Sequence, residues 1–285
     1  MPDSRTILTR VVFGAAMIAG VVAVLLLDEL LARRLGADWS GVVLAAAGAV
    51  LALAGVRELA GLARAGGAGI LPVSATLGTL LLGTLPIWRI VCPFAATVNG
   101  VLVIVFVIPA GAFLEAIARR RVEAAMGRIS CTVLSALYLG LGLAMMLVIR
   151  LHGLGLLVLF LAAVKFTDIA AYFTGTAVGR HKLIAWLSPG KTWEGLAGGL
   201  AAAAGVSALV AWALALPLSA GAAAVFGAIV GLVGQFGDLA ESLLKRSAAV
   251  KDSGAVVPQF GGVLDILDSP LLAAPVAWLL LYMAV

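Results

Sequence analysis

Long apolar windows separated by short polar breaks dominate this chain. Runs rich in Ala, Leu, Val, Ile and Gly occupy residues 11–29, 40–56, 71–88, 98–114, 130–149, 153–173, 196–216, 219–237 and 269–284. A bilayer core is crossed by about 20 helical residues, and about 17 suffice for a short span. The pattern therefore predicts an all-α fold, a polytopic integral membrane protein with about nine transmembrane helices. Residues 1–285 form one membrane domain, with N-terminal spans over 1–150 and a half more often interrupted by polar segments over 151–285. Prolines at 72, 109 and 217 and the many glycines do not argue against this, since packed membrane helices tolerate both.

Composition sharpens the reading. The chain is 63% hydrophobic and 12% charged, with a mean hydropathy of +1.17, whereas a soluble domain carries roughly a quarter charged residues. The first run follows Arg5 and Arg10 like a signal peptide, but it is long enough to cross a bilayer and more spans follow, so it is read as a retained helix. Cys92 and Cys131 lack any metal-ligand spacing, which argues against a disulfide framework or a zinc site. The net charge of +5 fits basic residues kept on one membrane face and drawn to anionic lipid, with no nucleic-acid partner.

Charge placement orients the spans. With the N-terminus in the cytoplasm, fourteen of the nineteen Lys and Arg fall inside, Arg33, Arg34, Arg89 and Arg150 fall outside, and Lys165 lies within a span. That bias follows the positive-inside rule. It puts loops 115–129, 174–195 and 238–268 on the cytoplasmic side.

Three segments then stand out as places for chemistry: VKFTDIAAYFTGTAVGRHKL with SPGKTWEG, GDLAESLLKRSAAVKDSG, and PQFGGVLDILDS. In the first, Lys165 and Asp168 share a helical face inside a span, where ionisable groups are costly unless paired or facing a polar cavity. They are either an internal ion pair or the lining of a polar pocket. Tyr172 and Phe173 suit an interfacial anchor as well as a site wall, and Arg180, His181 and Lys182 suit a topogenic loop as well as an anion site. The Gly-Lys-Thr at 190–192 is not a Walker loop, because Ala185 stands where the first glycine belongs. Ser188, Lys191 and Thr192 can still hydrogen-bond phosphate oxygens, and Glu194 can cap or brace the loop.

In the second segment Asp238, Ser242 and Lys245 lie at i, i+4 and i+7, on one face of a helix continuing the eighth span. Glu241 is four residues before Lys245, so a surface salt-bridge ladder is the competing reading. Acids interleaved with Lys245, Arg246 and Lys251 at a lipid surface suit metal-dependent phosphoryl or nucleotidyl transfer, because Mg2+ takes oxygen ligands and substrate phosphates complete its shell. The third segment brings Asp265 and Asp268 after the Gly261–Gly262 pair. Two glycines allow a sharp turn and close approach to a ligand, or only a flexible turn. Asp265 is the better metal candidate, and Asp268 beside Ser269 is alternatively the N-cap of the last span.

These residues resemble the phosphatidate cytidylyltransferase (CDP-diacylglycerol synthase) family. Its signature, S-x-x-K-R-x4-K-D followed by P-G-H-G-G-x-x-D-R-x-D, aligns with Ser242, Lys245, Arg246, Lys251 and Asp252, then Pro258, Gly261, Gly262, Asp265 and Asp268. Gln259, Phe260 and Ile266 depart from it, standing for the usual Gly, His and Arg. The resemblance covers roughly residues 160–270 and makes 151–285 the catalytic region.

It implies transfer of cytidylate from CTP to phosphatidic acid in phospholipid biosynthesis, with Mg2+ required and a second cation such as K+ admissible. The implied metal ligands are Asp238 and Asp265, with Asp268 beside them. Lys245, Arg246, Lys251 and Asp252 join them in the catalytic set. Substrate contacts fall to Lys165, Asp168, Tyr172, Arg180, His181, Lys182, Ser188, Lys191, Thr192, Glu194, Ser242, Gly261 and Gly262. Membrane lipids are the surroundings, a homodimer is one admissible assembly, and the location is a bacterial-type inner membrane with the site in the cytoplasm. The competing readings are a small-solute transporter using the Lys165–Asp168 pair and a non-catalytic or differently specific membrane protein.

Overall fold

The computed structural model describes residues 4–254 and 261–284. Among these described residues nine α-helices follow in order: α1 (Ser4–Leu35), α2 (Val42–Ala65), α3 (Pro72–Gly83), α4 (Val98–Ala118), α5 (Ala125–His152), α6 (Leu154–Val178), α7 (Trp193–Ala213), α8 (Ala220–Ser247) and α9 (Leu264–Ala284). Eight of the predicted spans are helices long and apolar enough to cross a membrane. The window at 71–88 differs: α3 has only 12 residues, about 18 Å at 1.5 Å per residue against a hydrocarbon core of about 30 Å. Short 3-10 stretches, Leu85–Ile90 and Pro93–Ala96, carry the chain on from it. Pro86 and Pro93 near their starts cannot donate the backbone bonds an α-helix would need there.

Local chemistry sets the helix ends. Pro72 occupies the first turn of α3, where its missing N–H costs nothing. Thr97, Thr192 and Ser219 cap α4, α7 and α8, their side-chain oxygens accepting from Gly100, Gly195 and Ala222 N–H. A strand pair not foreseen in the loop before α7 supplements the helices: β1 (Lys182–Ile184) pairs antiparallel with β2 (Ser188–Thr192), in register Lys182 with Thr192 and Ile184 with Ser188.

The chain divides into two compact units, the first comprising Met1–Gly140 and Asp252–Ile266, the second Leu141–Lys251 and Leu267–Val285. In the first, α3 packs on α2 and α4. Gly78 faces Ala136 and Ile108, and Gly140 faces Leu82, so small residues let the helices close up. Asp28, buried in α1, caps α2 from a distance by accepting from Gly41 N–H at 3.0 Å and Val43 N–H at 2.9 Å.

In the second unit α6, α7 and α8 pack closely together. A glycine stripe on α8 makes this possible: Gly227 lies on Ala203 and Ser207, Gly231 on Thr167, and Gly237 on the backbone of Asp268 and Ser269. A Cβ on Gly237 would sit 2.5 Å from the Asp268 carbonyl oxygen. Lipid offers no hydrophobic drive for helices to associate, so this backbone-to-backbone contact is what holds them.

Candidate functional site

The second unit builds a cleft of about 510 Å³ from α6, the β-hairpin, the start of α7 and the end of α8. Of the residues expected from the sequence, Asp168, Tyr172, Lys182, Ser188, Lys191, Thr192 and Asp238 line it. The size suits a small-molecule ligand, for which clefts of about 300–1,000 Å³ are usual. The Lys191 ammonium makes its central contact, lying 2.8 Å from Asp238 Oδ2 and donating to the Gln235 carbonyl at 3.2 Å. The hairpin before α7 and the end of α8, 47 residues apart at this pair, thus meet at one end of the unit. Gln235 then donates to Asp168 Oδ1 at 2.8 Å, and Lys165 Nζ stands 3.9 Å from Asp168 Oδ2. A chain of alternating charge and amide therefore runs from α8 to α6.

Around this chain the remaining residues take distinct positions. Ser242 Oγ donates to Asp238 Oδ1 at 3.4 Å. Lys245 pairs at 2.9 Å with Glu241, which is buried, so the expected i, i+4 pairing forms but not as a surface ladder, while Asp238 turns to the cleft. Arg246 and Lys251 are exposed. Asp268 is buried, and its Oδ1 accepts from Ser269 N–H at 2.6 Å. Because α9 begins at Leu264, Asp268 sits in its second turn and is not the N-cap.

The hairpin owes its shape to Glu194. Its carboxylate accepts from the N–H groups of Arg180 and His181 at 3.1 and 3.2 Å and lies 2.6 Å from His181 Nδ1. Glu194, His181 and Arg180 thus brace the loop and do not line the cleft. Thr192 is buried as the cap of α7, against Gly175 and Gly179 of α6's C-terminal end. Tyr172 stands exposed at the cleft wall, its ring edge-on to Phe173 at 5.5 Å.

The first unit carries the other acidic motif. Gly261, at φ +91°, opens a turn whose inner side is filled by Asp265. Asp265 Oδ2 accepts from Gly262 N–H at 2.7 Å and Ser253 Oγ at 2.8 Å, tying the turn to the first turn of α9. Buried Glu58 of α2 completes it by accepting from Val263 N–H at 2.8 Å, Leu264 N–H at 2.9 Å and Ser253 Oγ at 3.2 Å. Asp252 is exposed. Pro258, Gln259 and Phe260 lie outside the described residues.

Two residues escaped the sequence reading. Gln235 left a signal, a lone amide in an apolar span three residues before Asp238. Glu58 left almost none, since nothing local links it to a turn some two hundred residues later.

All the carboxylates offer the oxygen ligands that Mg2+ prefers. Among the described residues no three acidic, His or Cys side chains stand close enough to hold a metal by themselves. A cation here would need substrate oxygens to complete its shell, which is how Mg2+ commonly binds beside one or two carboxylates.

The family profile described as "Cytidylyltransferase family" matches residues 8–284. A phosphatidate cytidylyltransferase of Brucella suis is 46% identical over 127 residues, 45% of this chain and 47% of that protein. One of Bacillus subtilis is 39% identical over 151 residues, covering 52% and 56% of the two chains. One of Pseudomonas aeruginosa is 42% identical over 137 residues, 46% and 48%. The matched region spans about half the length of these curated relatives.

Proposed function

We propose, on the premise that this chain belongs to the cytidylyltransferase family, that it transfers cytidylate from CTP to phosphatidic acid, producing CDP-diacylglycerol and pyrophosphate. Relatives named phosphatidate cytidylyltransferase support the reaction. The observation that carries it to particular residues is the Lys191–Asp238 pair, 2.8 Å long, in a cleft lined by residues of the first polar segment and by Asp238 of the second. No feature of the cleft favours a transporter, since its polar residues gather at one end of the second unit.

A phosphate oxygen of phosphatidic acid attacks the α-phosphorus of CTP in line. One phosphorus–oxygen bond forms, the bond to the oxygen bridging to the β-phosphate breaks, and pyrophosphate leaves with that electron pair. The attacking oxygen is already anionic near neutral pH, because the second pKa of a phosphate monoester is about 6, so no strong base is required. This explains how Phe260 can replace the family's histidine.

The chain's own groups position and neutralise. Lys182, Ser188 and Lys191 hold phosphate oxygens in the cleft, and Lys191 exchanges its Asp238 partner for one of them as charge develops. Lys245, Arg246 and Lys251 add positive charge at the end of α8, and the Tyr172 ring borders the nucleotide. Gln235 keeps Asp168 oriented, while Lys165 balances its charge.

In the second unit Asp238 and Asp268 are the carboxylates that would hold Mg2+; Asp265, which the resemblance adds to them, accepts from Gly262 N–H and Ser253 Oγ in the first unit. When bound, Mg2+ screens the phosphates' mutual repulsion and fixes their oxygens. A second cation such as K+ and a homodimer rest on the resemblance alone. CTP is water-soluble and made in the cytoplasm, so the cleft faces that side of a bacterial-type inner membrane; the expectation of a cytoplasmic N-terminus rests on the positive-inside charge bias alone.

Purified protein in detergent, given labelled CTP, phosphatidic acid and Mg2+, should form labelled CDP-diacylglycerol. Folded protein that forms none would overturn the assignment.

A further inference from the structure

The first unit holds a second cavity, of about 500 Å³, which the proposed reaction does not use. It lies where the end of α2, the start of α3, the end of α4 and the start of α5 meet, and Arg64, Arg119, Arg121 and Arg128 line it. Among the described residues no acid lines it. We propose that this arginine-lined cavity is a binding site for one phosphate group, borne by an anionic membrane phospholipid or by a soluble phosphate ester.

Positive-inside topology explains why arginines lie on this side of the membrane, but not why four of them from three helices and their adjoining loops converge on one cavity. Four guanidinium groups so placed repel one another unless an anion sits among them. Among the described residues the only acid paired with any of the four is Glu115, 2.8 Å from Arg119, and it is already engaged elsewhere. Its oxygens accept from Ser74 N–H and Ser74 Oγ, both at 2.7 Å, and from Val73 N–H at 3.3 Å, so it caps α3. The one native carboxylate is thus committed to a helix start, and the cavity keeps a positive balance.

Two arginines are also held in place before any ligand arrives. Arg128 Nε donates to the Ala68 carbonyl at 3.3 Å, and Arg64 Nε donates to the Ala60 carbonyl at 3.2 Å. The Arg128 Nη1 atom is buried and has no hydrogen-bond partner among the described residues. A buried unsatisfied donor on a charged group is costly, and such a group commonly marks the place of an ion. The intervening loop turns at Gly67 and Gly69, both at positive φ, which brings the Gly69 backbone beside the Arg128 and Arg64 side chains.

Guanidinium clusters suit phosphate because their paired N–H groups match two oxygens at once. Basic pockets between helices at a membrane surface are a known form of headgroup site. The apolar surroundings favour the lipid source: Val73 and Leu77 on α3 and Leu114 and Ile117 on α4 are all more than half exposed, ready to lie against acyl chains.

The test is binding, not turnover, so it can fail while the proposed reaction stands. The full chain in detergent is titrated, by native mass spectrometry, with short-chain phosphatidylglycerol, phosphatidylcholine, or glycerol 3-phosphate, in the absence of CTP. Phosphatidylglycerol should bind at least tenfold tighter than phosphatidylcholine. The Arg64→Gln/Arg128→Gln variant should lose at least tenfold of that affinity, while Arg34→Gln, a change outside the cavity, stays within twofold. Tighter binding of glycerol 3-phosphate, lost in the same variant, assigns the site to a soluble ester. Should the double variant fail to fold, Arg121→Gln, at an exposed position, must still lower affinity at least threefold. Equal affinity in parent and cavity variants for every probe overturns the proposal and leaves the arginines a topological role only.

Discussion

Replacing Asp238 with Asn separates a structural ion pair from a working site. In the structure Asp238 contributes one contact to Lys191 at 2.8 Å and one long contact to Ser242 at 3.4 Å. Its side chain is 35% exposed and that of Lys191 is 15% exposed. A partly exposed ion pair of this kind contributes about 1 kcal/mol, and Asn keeps an oxygen that can accept from Lys191. Stability should therefore fall by no more than about 1 kcal/mol. If Asp238 instead works in the transition state, removing one such electrostatic group should lower kcat by about 10²- to 10³-fold, or roughly 2.7–4 kcal/mol. The two magnitudes are far enough apart to distinguish. CDP-diacylglycerol formation from labelled CTP gives the rate, and thermal unfolding in detergent gives the stability. A variant that folds and keeps a third or more of parental kcat would refute the placement of Asp238 in the chemistry, even with the family assignment intact.

Glu58→Gln should destabilise the first unit by roughly 1–3 kcal/mol. Two backbone N–H groups and a hydroxyl depend on both carboxylate oxygens, and an amide offers only one; an unchanged unfolding midpoint would argue against that capping role. Gly237→Val should lower the midpoint by forcing α8 away from the Asp268 backbone, with overpacking of about 1–3 kcal/mol. Retention of parental stability would show that the crossing is looser than the structure draws it. Phe260→His with Ile266→Arg should alter the rate less than tenfold, because a lost general base would be worth about 10²- to 10⁴-fold. A hundredfold gain in CDP-diacylglycerol formation would show that the missing histidine mattered.

The sequence by itself determined that the chain is a bundle of membrane helices, because a run of apolar residues long enough to cross lipid has no other way to satisfy its backbone. It also marked Asp238, Ser242 and Lys245 as one helical face, since α8 continues unbroken to Ser247 and helical spacing is a local property. Local pattern could not decide between alternatives that differ only in partners. The ladder and the cleft both fit the spacing of α8, and only packing assigned Glu241 to Lys245 and Asp238 to Lys191. The start of α9 at Leu264 likewise took the capping role from Asp268 and gave it to Glu58 of a distant helix, which accepts from Leu264 N–H, while Asp265 braces the turn just before. The same holds for the four arginines of the first unit, each legible as a topogenic charge. Their convergence on one cavity depends on loops closing at Gly67 and Gly69 and on helices meeting end to end, and such long-range contacts leave no periodic trace along the chain.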